Sequence, residues 1–195
     1  NDSHESMAKT IALSLIEHSS YFASINPDLL LLVGDRFDMI GPALSASIMN
    51  IPIAHIQGGE TSGTIDNTIR DLITRMSCLH FVSTEKSAIN LEKYGIKSNT
   101  IFNFGCPAVE YISEIEVGNH FDVKLLKKKF KNEIYVEKDE KYIIVMIHPD
   151  TKNKSDVNMD KVLAITESLN IKAFIFYPNV DANNKFIISS LNKFR

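Results

Sequence analysis

The chain of 195 residues carries 21 basic and 24 acidic side chains, with 44% hydrophobic and 23% charged residues. That balance supports a hydrophobic core, excludes intrinsic disorder and leaves no broad positive field to hold a nucleic-acid backbone by counterion release. The longest apolar runs, Leu29 to Val33 and Ile143 to Ile147, fall far short of the roughly 20 residues that cross a bilayer, so no membrane segment is expected.

Asn1-Asp2-Ser3-His4-Glu5 has neither the basic region nor the apolar stretch of a secretory leader, and it lacks an initiator methionine, as a fragment would. An amphipathic helix is expected next, with Asp2 or Ser3 as N-cap and Met7, Ala8, Ile11, Ala12, Leu15 and Ile16 on one stripe, ending near Asn26-Pro27. Leu29 to Val33 is apolar at every position, the pattern of a parallel strand covered on both faces. A helix over Phe37 to Asn50 follows, with Ile40, Ala43, Leu44 and Ile48 inward, then a strand at Ile53 to Ile56. The glycine-rich stretch Gln57 to Thr64 precedes a helix from about Asp66 to Met76. A strand at Leu79 to Val82, a helix capped by Thr84 and closed at Tyr94-Gly95, and a strand at Ile101 to Phe104 complete the first half.

From 114 to 141 the chain turns densely charged, with Lys127-Lys128-Lys129, and reads as a linker between a first domain, 1–113, and a second, 142–195. The second alternates again, with a strand at Tyr142 to Ile147, a helix at Met159 to Asn170, a strand at Ala173 to Tyr177 and a helix from Lys185. Two strands and two helices do not close a doubly wound domain, so this one is expected to be truncated. Cys78 and Cys106 show neither metal-ligand spacing nor a disulfide framework, which predicts two small buried hydrophobes in a reducing, cytoplasmic setting.

In open parallel sheets ligands lie beyond the carboxyl ends of the strands. Those positions are polar here: Gly34-Asp35-Arg36, Gln57-Gly58-Gly59-Glu60, Ser83-Thr84-Glu85, Gly105-Cys106-Pro107 and His148-Pro149-Asp150. Each has a purely structural alternative. Asp35 and Asp66 are also placed to cap helices, Gly58-Gly59 to make a tight turn, and His55, inside a strand, to sit satisfied in the core. The run from Gly58 to Asp66 says more, because three glycines, three hydroxyls and two carboxylates stand directly before a helix. Such a loop wraps a polar small molecule, phosphorylated or not, and the helix N-terminus after it favours anionic groups. Neither a dinucleotide fingerprint nor a P-loop is present, and no metal site is expected.

Leu32-Val33-Gly34-Asp35-Arg36-Phe37, the run Asn50 to Asp66 containing His55-Ile56-Gln57-Gly58-Gly59-Glu60-Thr61-Ser62-Gly63-Thr64-Ile65-Asp66, then Arg70, Leu79-His80-Phe81, Phe104-Gly105-Cys106-Pro107 and His148-Pro149 closely resemble the hydrolysing UDP-N-acetylglucosamine 2-epimerases. The resemblance implies an α/β fold of two Rossmann-like domains of GT-B type, parallel sheets with helices on both faces. It also implies a UDP-sugar substrate, no redox cofactor, no metal, and pairing into a homodimer.

The implied chemistry expels UDP, forms a glycal, and hydrates it to the free N-acetylmannosamine-type sugar. The acidic positions of the family fall on Asp35, Gln57 and Asp66, and its second-domain histidine on His148. Arg36, Gly58, Gly59, Glu60, Ser62, Thr64 and Arg70 would bind substrate or shape the loop. Gln57 departs from the Glu normal there, and an amide cannot exchange a proton near neutral pH. Either activity is impaired or the role has moved, with Glu60 a conceivable substitute. The alternative functions are a GT-B glycosyltransferase and a catalytically silent UDP-sugar-binding protein, and sequence does not choose between N-acetylglucosamine and a 2,4-diacetamido sugar.

Overall fold

The structure is a computed structural model that describes residues 3–115, 140–149 and 158–194. Most of the expected linker, including Lys127-Lys128-Lys129, lies outside the described residues. The chain divides into two compact units between Glu114 and Ile115.

The first unit opens with helix α1, His4–Ile25, whose N-cap is Ser3: its hydroxyl accepts from Ser6 N at 3.1 Å. Asn26 ends the helix in the left-handed region at φ 47°. Strand β1, Leu30–Val33, leads through a 3-10 turn, Phe37–Met39, into α2, Ile40–Ile48. α1 packs on α2 at small residues. A Cβ on Gly41 would sit 2.3 Å from Ser14 Oγ, and Ser45 Oγ donates to the Leu15 carbonyl at 3.1 Å. The covered stripe of α1 is therefore Met7, Ile11, Ser14, Leu15, His18 and Phe22, whereas Ala8, Ala12 and Ile16 face solvent. One helix as partner covers a narrower face than a sheet would.

Leu44 and Ile48, expected inward, are exposed, and Gly41, Pro42, Ala43, Ser45 and Ala46 are buried instead. The side of α2 that meets α1 is built of small residues, with Gly41 against Ser14 and Ser45 bonded to Leu15, so close helix approach rather than side-chain size selects the buried face.

Strands β2 (Ile53–Ile56), β3 (Leu79–Val82) and β4 (Ile101–Asn103) join β1 in a wholly parallel sheet of order β1-β2-β3-β4. Helices α3 (Ile65–Met76) and α4 (Glu85–Lys93) make the next crossovers, and α5 (Pro107–Glu114), which the apolar pattern did not announce, follows β4. The sheet grows in one direction, so right-handed connections place α2, α3 and α4 on one face. That face carries buried Leu32, Ile53, His55, His80 and Val82, and its main core joins Phe22, Leu32, Ala43, Ala46, Ile53, Ile69 and Ile73.

On the other face Phe81, Phe102 and Phe104 stack with centroids 5.5 to 6.1 Å apart. There Leu31 and Val33 stay more than half exposed among the described residues. The cysteines are not buried as expected. Cys78, at the amino end of β3, is exposed, its Sγ donating to the Ile53 carbonyl at 3.3 Å, and Cys106 is half-buried at the sheet edge.

The second unit pairs β5 (Tyr142–Met146) with β6 (Lys172–Phe176) in parallel, and helices α6 (Met159–Ser168) and α7 (Asn184–Phe194) bury Met159, Leu163, Ile187 and Leu191 against Val145 and Ile175.

His55 and His80 are direct neighbours in register and both fully buried. Burial, with the adjacent His55 adding to it, pushes the His80 pKa down to about 4. Its Nδ1 has no hydrogen-bond partner among the described residues. The unfolded chain takes up a proton at His80 near pH 6.5 that the folded chain refuses until about pH 4, so stability is full above pH 6.5 and falls on acidification. The loss is about 3 kcal/mol across that window. His80→Leu is expected to flatten this dependence while leaving stability at pH 7 within about 1 kcal/mol. Urea unfolding at pH 7, 5.5 and 4.5 checks it, and an unchanged pH slope in the variant would overturn the assignment.

Candidate active site

Parallel pairing gathers the carboxyl ends of four strands on one rim, and each delivers a polar turn there. Asp35, just past β1, does not cap the helix after it. The 3-10 turn has Arg36 as N-cap with no side-chain cap bond, and Asp35 Oδ2 instead accepts a charged hydrogen bond from Arg70 Nη2. Arg70 lies on α3, 4% exposed, and its Nη1 donates to the Glu60 carbonyl at 2.7 Å and to Asn67 Oδ1 at 3.4 Å. A guanidinium so deeply buried persists only when paired and hydrogen-bonded. Arg70 thereby ties the turn after β1 to the loop after β2. Arg36 engages its own turn, with Nε 3.2 Å from Asp38 Oδ1 and its guanidinium carbon 5.8 Å from the Phe37 ring centroid.

Asp66 is not a cap either. Thr64 is, its Oγ1 accepting from Asp66 N at 3.3 Å and donating to Asp66 Oδ2 at 3.0 Å. Ser62 joins the group: its Oγ lies 3.3 Å from Thr64 Oγ1, and its N–H donates to Asn67 Oδ1 at 3.1 Å. Asp66 and Arg70 stand one turn apart on the same face of α3. The carboxylate of Asp35 therefore meets α3 one turn along from that of Asp66.

Gln57 occupies the left-handed region at φ 68°, an expensive conformation for a residue with a side chain. Its N–H donates to the Phe81 carbonyl at 2.8 Å, and its Nε2 donates to Cys106 Sγ at 3.6 Å. The backbone N–H groups of Val109 and Ala108, at the start of α5, lower the Cys106 pKa. The Gln57 amide acts in the same direction, while desolvation and Glu60 oppose it. His148 belongs to the second unit, just past β5, where its Nδ1 accepts from Asn179 N at 3.1 Å. Asp150 lies outside the described residues. Among the described residues no group of three or more His, Cys, Asp or Glu side chains is arranged to hold a metal ion.

The glycine pair is more than a turn. Gly59 has φ 80°, its carbonyl accepts from Asn90 Nδ2 at 2.9 Å, and an added Cβ would lie 2.4 Å from the Ser87 carbonyl oxygen of α4. Asn67, Thr74 and Asn90 were not among the expected site residues. For α3 the available signal was polar residues at 66, 70 and 74, one helical turn apart, beside the buried Ile69 and Ile73.

A family model described as UDP-N-acetylglucosamine 2-epimerase matches residues 1–195. The chain belongs to this family. Two curated relatives are a UDP-N,N'-diacetylbacillosamine 2-epimerase (hydrolyzing) of Legionella pneumophila, 33% identical over 189 residues, and a GDP/UDP-N,N'-diacetylbacillosamine 2-epimerase (hydrolyzing) of Campylobacter jejuni, 32% identical over 199. The alignments cover 96% and 100% of this chain but 48% and 50% of those proteins, so the chain spans about half the length of these relatives.

The fold is that of a crystal structure of UDP-GlcNAc 2-epimerase from Neisseria meningitidis bound to UDP-GlcNAc. The TM-score is 0.71 at 18% identity, over 97% of this chain and 53% of that one. The architecture is thus α/β, with the parallel sheets and helices of the GT-B-like 2-epimerases.

Gly59→Ala is expected to cost at least about 2 kcal/mol, since it adds a backbone clash to left-handed strain. Gly63→Ala, at φ 76° with nothing within 4 Å of the added Cβ, should cost about 1 kcal/mol from strain alone. Urea unfolding of the two variants separates the effects, and equal losses would show that the approach to α4 is not what demands glycine at 59.

Proposed function

We propose that this chain carries carboxylate machinery for hydrolysing epimerisation at C2 of a UDP-N-acetylated hexosamine. The observation that carries the reading is the carboxylate of Asp35, held by buried Arg70 at the strand-end rim one helical turn from Asp66, in a chain of this family. The names of the two diacetylbacillosamine relatives favour a 2,4-diacetamido sugar over N-acetylglucosamine as substrate.

The chemistry explains why paired carboxylates are needed. The C2 proton of an acetamido sugar is barely acidic until the C1–O bond stretches and UDP begins to leave with the electron pair. Positive charge then grows at C1, and nearby anions stabilise it. One carboxylate removes the C2 proton, and the C1–C2 double bond of the glycal forms. Water then adds its hydroxyl at C1, while a proton reaches C2 from the opposite face and inverts it. Microscopic access from two faces requires acid and base groups on both sides of the ring. Asp35 and Asp66 take these proton-transfer and charge-stabilising roles, and Glu60, Ser62, Thr64 and Arg36 position the sugar and loop. No metal or redox cofactor enters the scheme.

The protein is expected to release UDP from UDP-N,N'-diacetylbacillosamine and to incorporate deuterium at C2 of the product in deuterated water. Asp35→Asn should slow UDP release by about a hundredfold or more. Sugar transfer to an acceptor without deuterium would indicate a glycosyltransferase. Binding of the UDP-sugar with no UDP released would indicate the silent binder that the Gln57 amide favours, and either result would overturn the epimerase reading. Gln57→Glu restores a proton-exchanging group at 57 and should raise the ratio of hydrated sugar to free glycal among the products. An unchanged ratio, followed by NMR, would show that position 57 does not limit hydration.

A further inference from the structure

His55 is fully buried, yet it connects three segments of the candidate site. One ring nitrogen, Nε2, lies 2.8 Å from the Gly34 carbonyl oxygen. A carbonyl only accepts, so Nε2 carries the proton and donates. The other nitrogen, Nδ1, lies 3.2 Å from Thr74 Oγ1. Desolvation pulls the His55 pKa down against the pull of the Gly34 carbonyl, so the ring is neutral at pH 7 and Nδ1 is an acceptor for the Thr74 hydroxyl. A directed chain results, from Thr74 through His55 to Gly34.

The Gly34 carbonyl belongs to the peptide that leads into Asp35, so its orientation sets that peptide plane and with it the direction of the Asp35 side chain. The same residue is held on its other side, where Gly34 N donates to the Ile56 carbonyl at 3.0 Å. Gly34 has φ 82°, nothing lies within 4 Å of an added Cβ, and hydrogen bonds hold its backbone on both sides. Thr74 sits one turn beyond Arg70 on α3, and both are buried. α3 thus reaches Asp35 twice: Arg70 takes its carboxylate, and Thr74 acts on its backbone through the ring of His55. Gly58 is seated on the same pair, since a Cβ there would lie 3.0 Å from Thr74 Oγ1 and 3.1 Å from His55 Nδ1.

We propose that Thr74 and His55 are positioning residues, a hydrogen-bond relay that locks the Gly34–Asp35 peptide and seats the Gln57-Gly58 turn against α3. The catalytic consequence rests on the role given to Asp35 above, whereas the geometric relay does not. Thr74→Val keeps the shape of the side chain but removes the hydroxyl proton, leaving buried Nδ1 without a donor and the ring anchored at Nε2 alone. The Gly34 carbonyl keeps the proton on Nε2, but the ring is no longer tied to α3, and its bond to Gly34 loosens.

The test is run on the protein and its Thr74→Val and Thr74→Ser variants. Nitrogen-15 NMR of the unaltered protein at pH 7 should show His55 as the neutral Nε2–H form. In Thr74→Val, amide exchange should quicken at residues 34–36 and 57–59 while Ile73 and Leu91 keep their protection. UDP release should show kcat reduced about tenfold with KM within about twofold, and Thr74→Ser should restore it. A protonated or Nδ1–H ring in the unaltered protein overturns the relay, as does a Thr74→Val variant with unchanged exchange at both turns. If the unaltered protein releases no UDP, the epimerase reading fails, and NMR and amide exchange still decide the relay.

Discussion

A guanidinium removed from water must recover its hydrogen bonds inside the protein, and the acceptors that Arg70 recruits define the candidate site. They are the Asp35 carboxylate from the turn after β1, the Glu60 carbonyl from the loop after β2, and Asn67 from its own helix. A turn 35 positions away in sequence, a loop 10 positions away and the preceding turn of its own helix are thereby bound to one charged group. Because Arg70 has almost no exposure, none of these acceptors can be exchanged for solvent at low cost. The loop geometry follows from that constraint. It also explains why a helix with polar residues at 66, 70 and 74 still packs: each is answered by a partner, Asp66 by Thr64, Arg70 by Asp35, and Thr74 by His55.

The loop after β2 is shaped by two kinds of local exception. Gly59 exploits the absence of a side chain, both for its positive φ and for its approach to the Ser87 carbonyl. Gln57 takes a left-handed conformation despite having a side chain, and is held there by its backbone bond to Phe81 and its amide contact with Cys106. Strain of this sort persists only where surrounding contacts over-determine it. Its place at the rim, beside a cysteine whose pKa is lowered by the first turn of α5, puts an amide, which cannot exchange a proton near neutral pH, where the resemblance implies a carboxylate.

Strands were the most legible elements. The apolar runs at 30–33, 53–56, 79–82 and 142–146, broken by Gly, Pro and charged turns, matched the observed strands to within a residue or so. The caps at Ser3 and Thr84 were legible because a hydroxyl before an apolar-periodic run has few other uses. The buried side of α2 was not, because it meets α1 through small residues, Gly41 and Ser45, that a hydrophobic pattern passes over. Cys78 was misjudged as buried for a related reason: composition describes what a side chain prefers, whereas its exposure depends on which end of β3 it occupies.

The candidate residues divide along the same line. That Asp35, Gln57, Glu60, Asp66 and Cys106 stand just after strands or before a helix followed from the alternation of elements alone, since parallel strands put their carboxyl ends on one edge. Sequence also sufficed to raise the capping alternative for Asp35 and Asp66, and the tertiary structure decided against it in both cases. The reason is distance along the chain. Caps and turns join residues a few positions apart and are written locally, whereas the pairing of Asp35 with Arg70, of Gln57 with Cys106, and of His55 with Gly34 and Thr74 arises only when the sheet brings distant turns within hydrogen-bond reach.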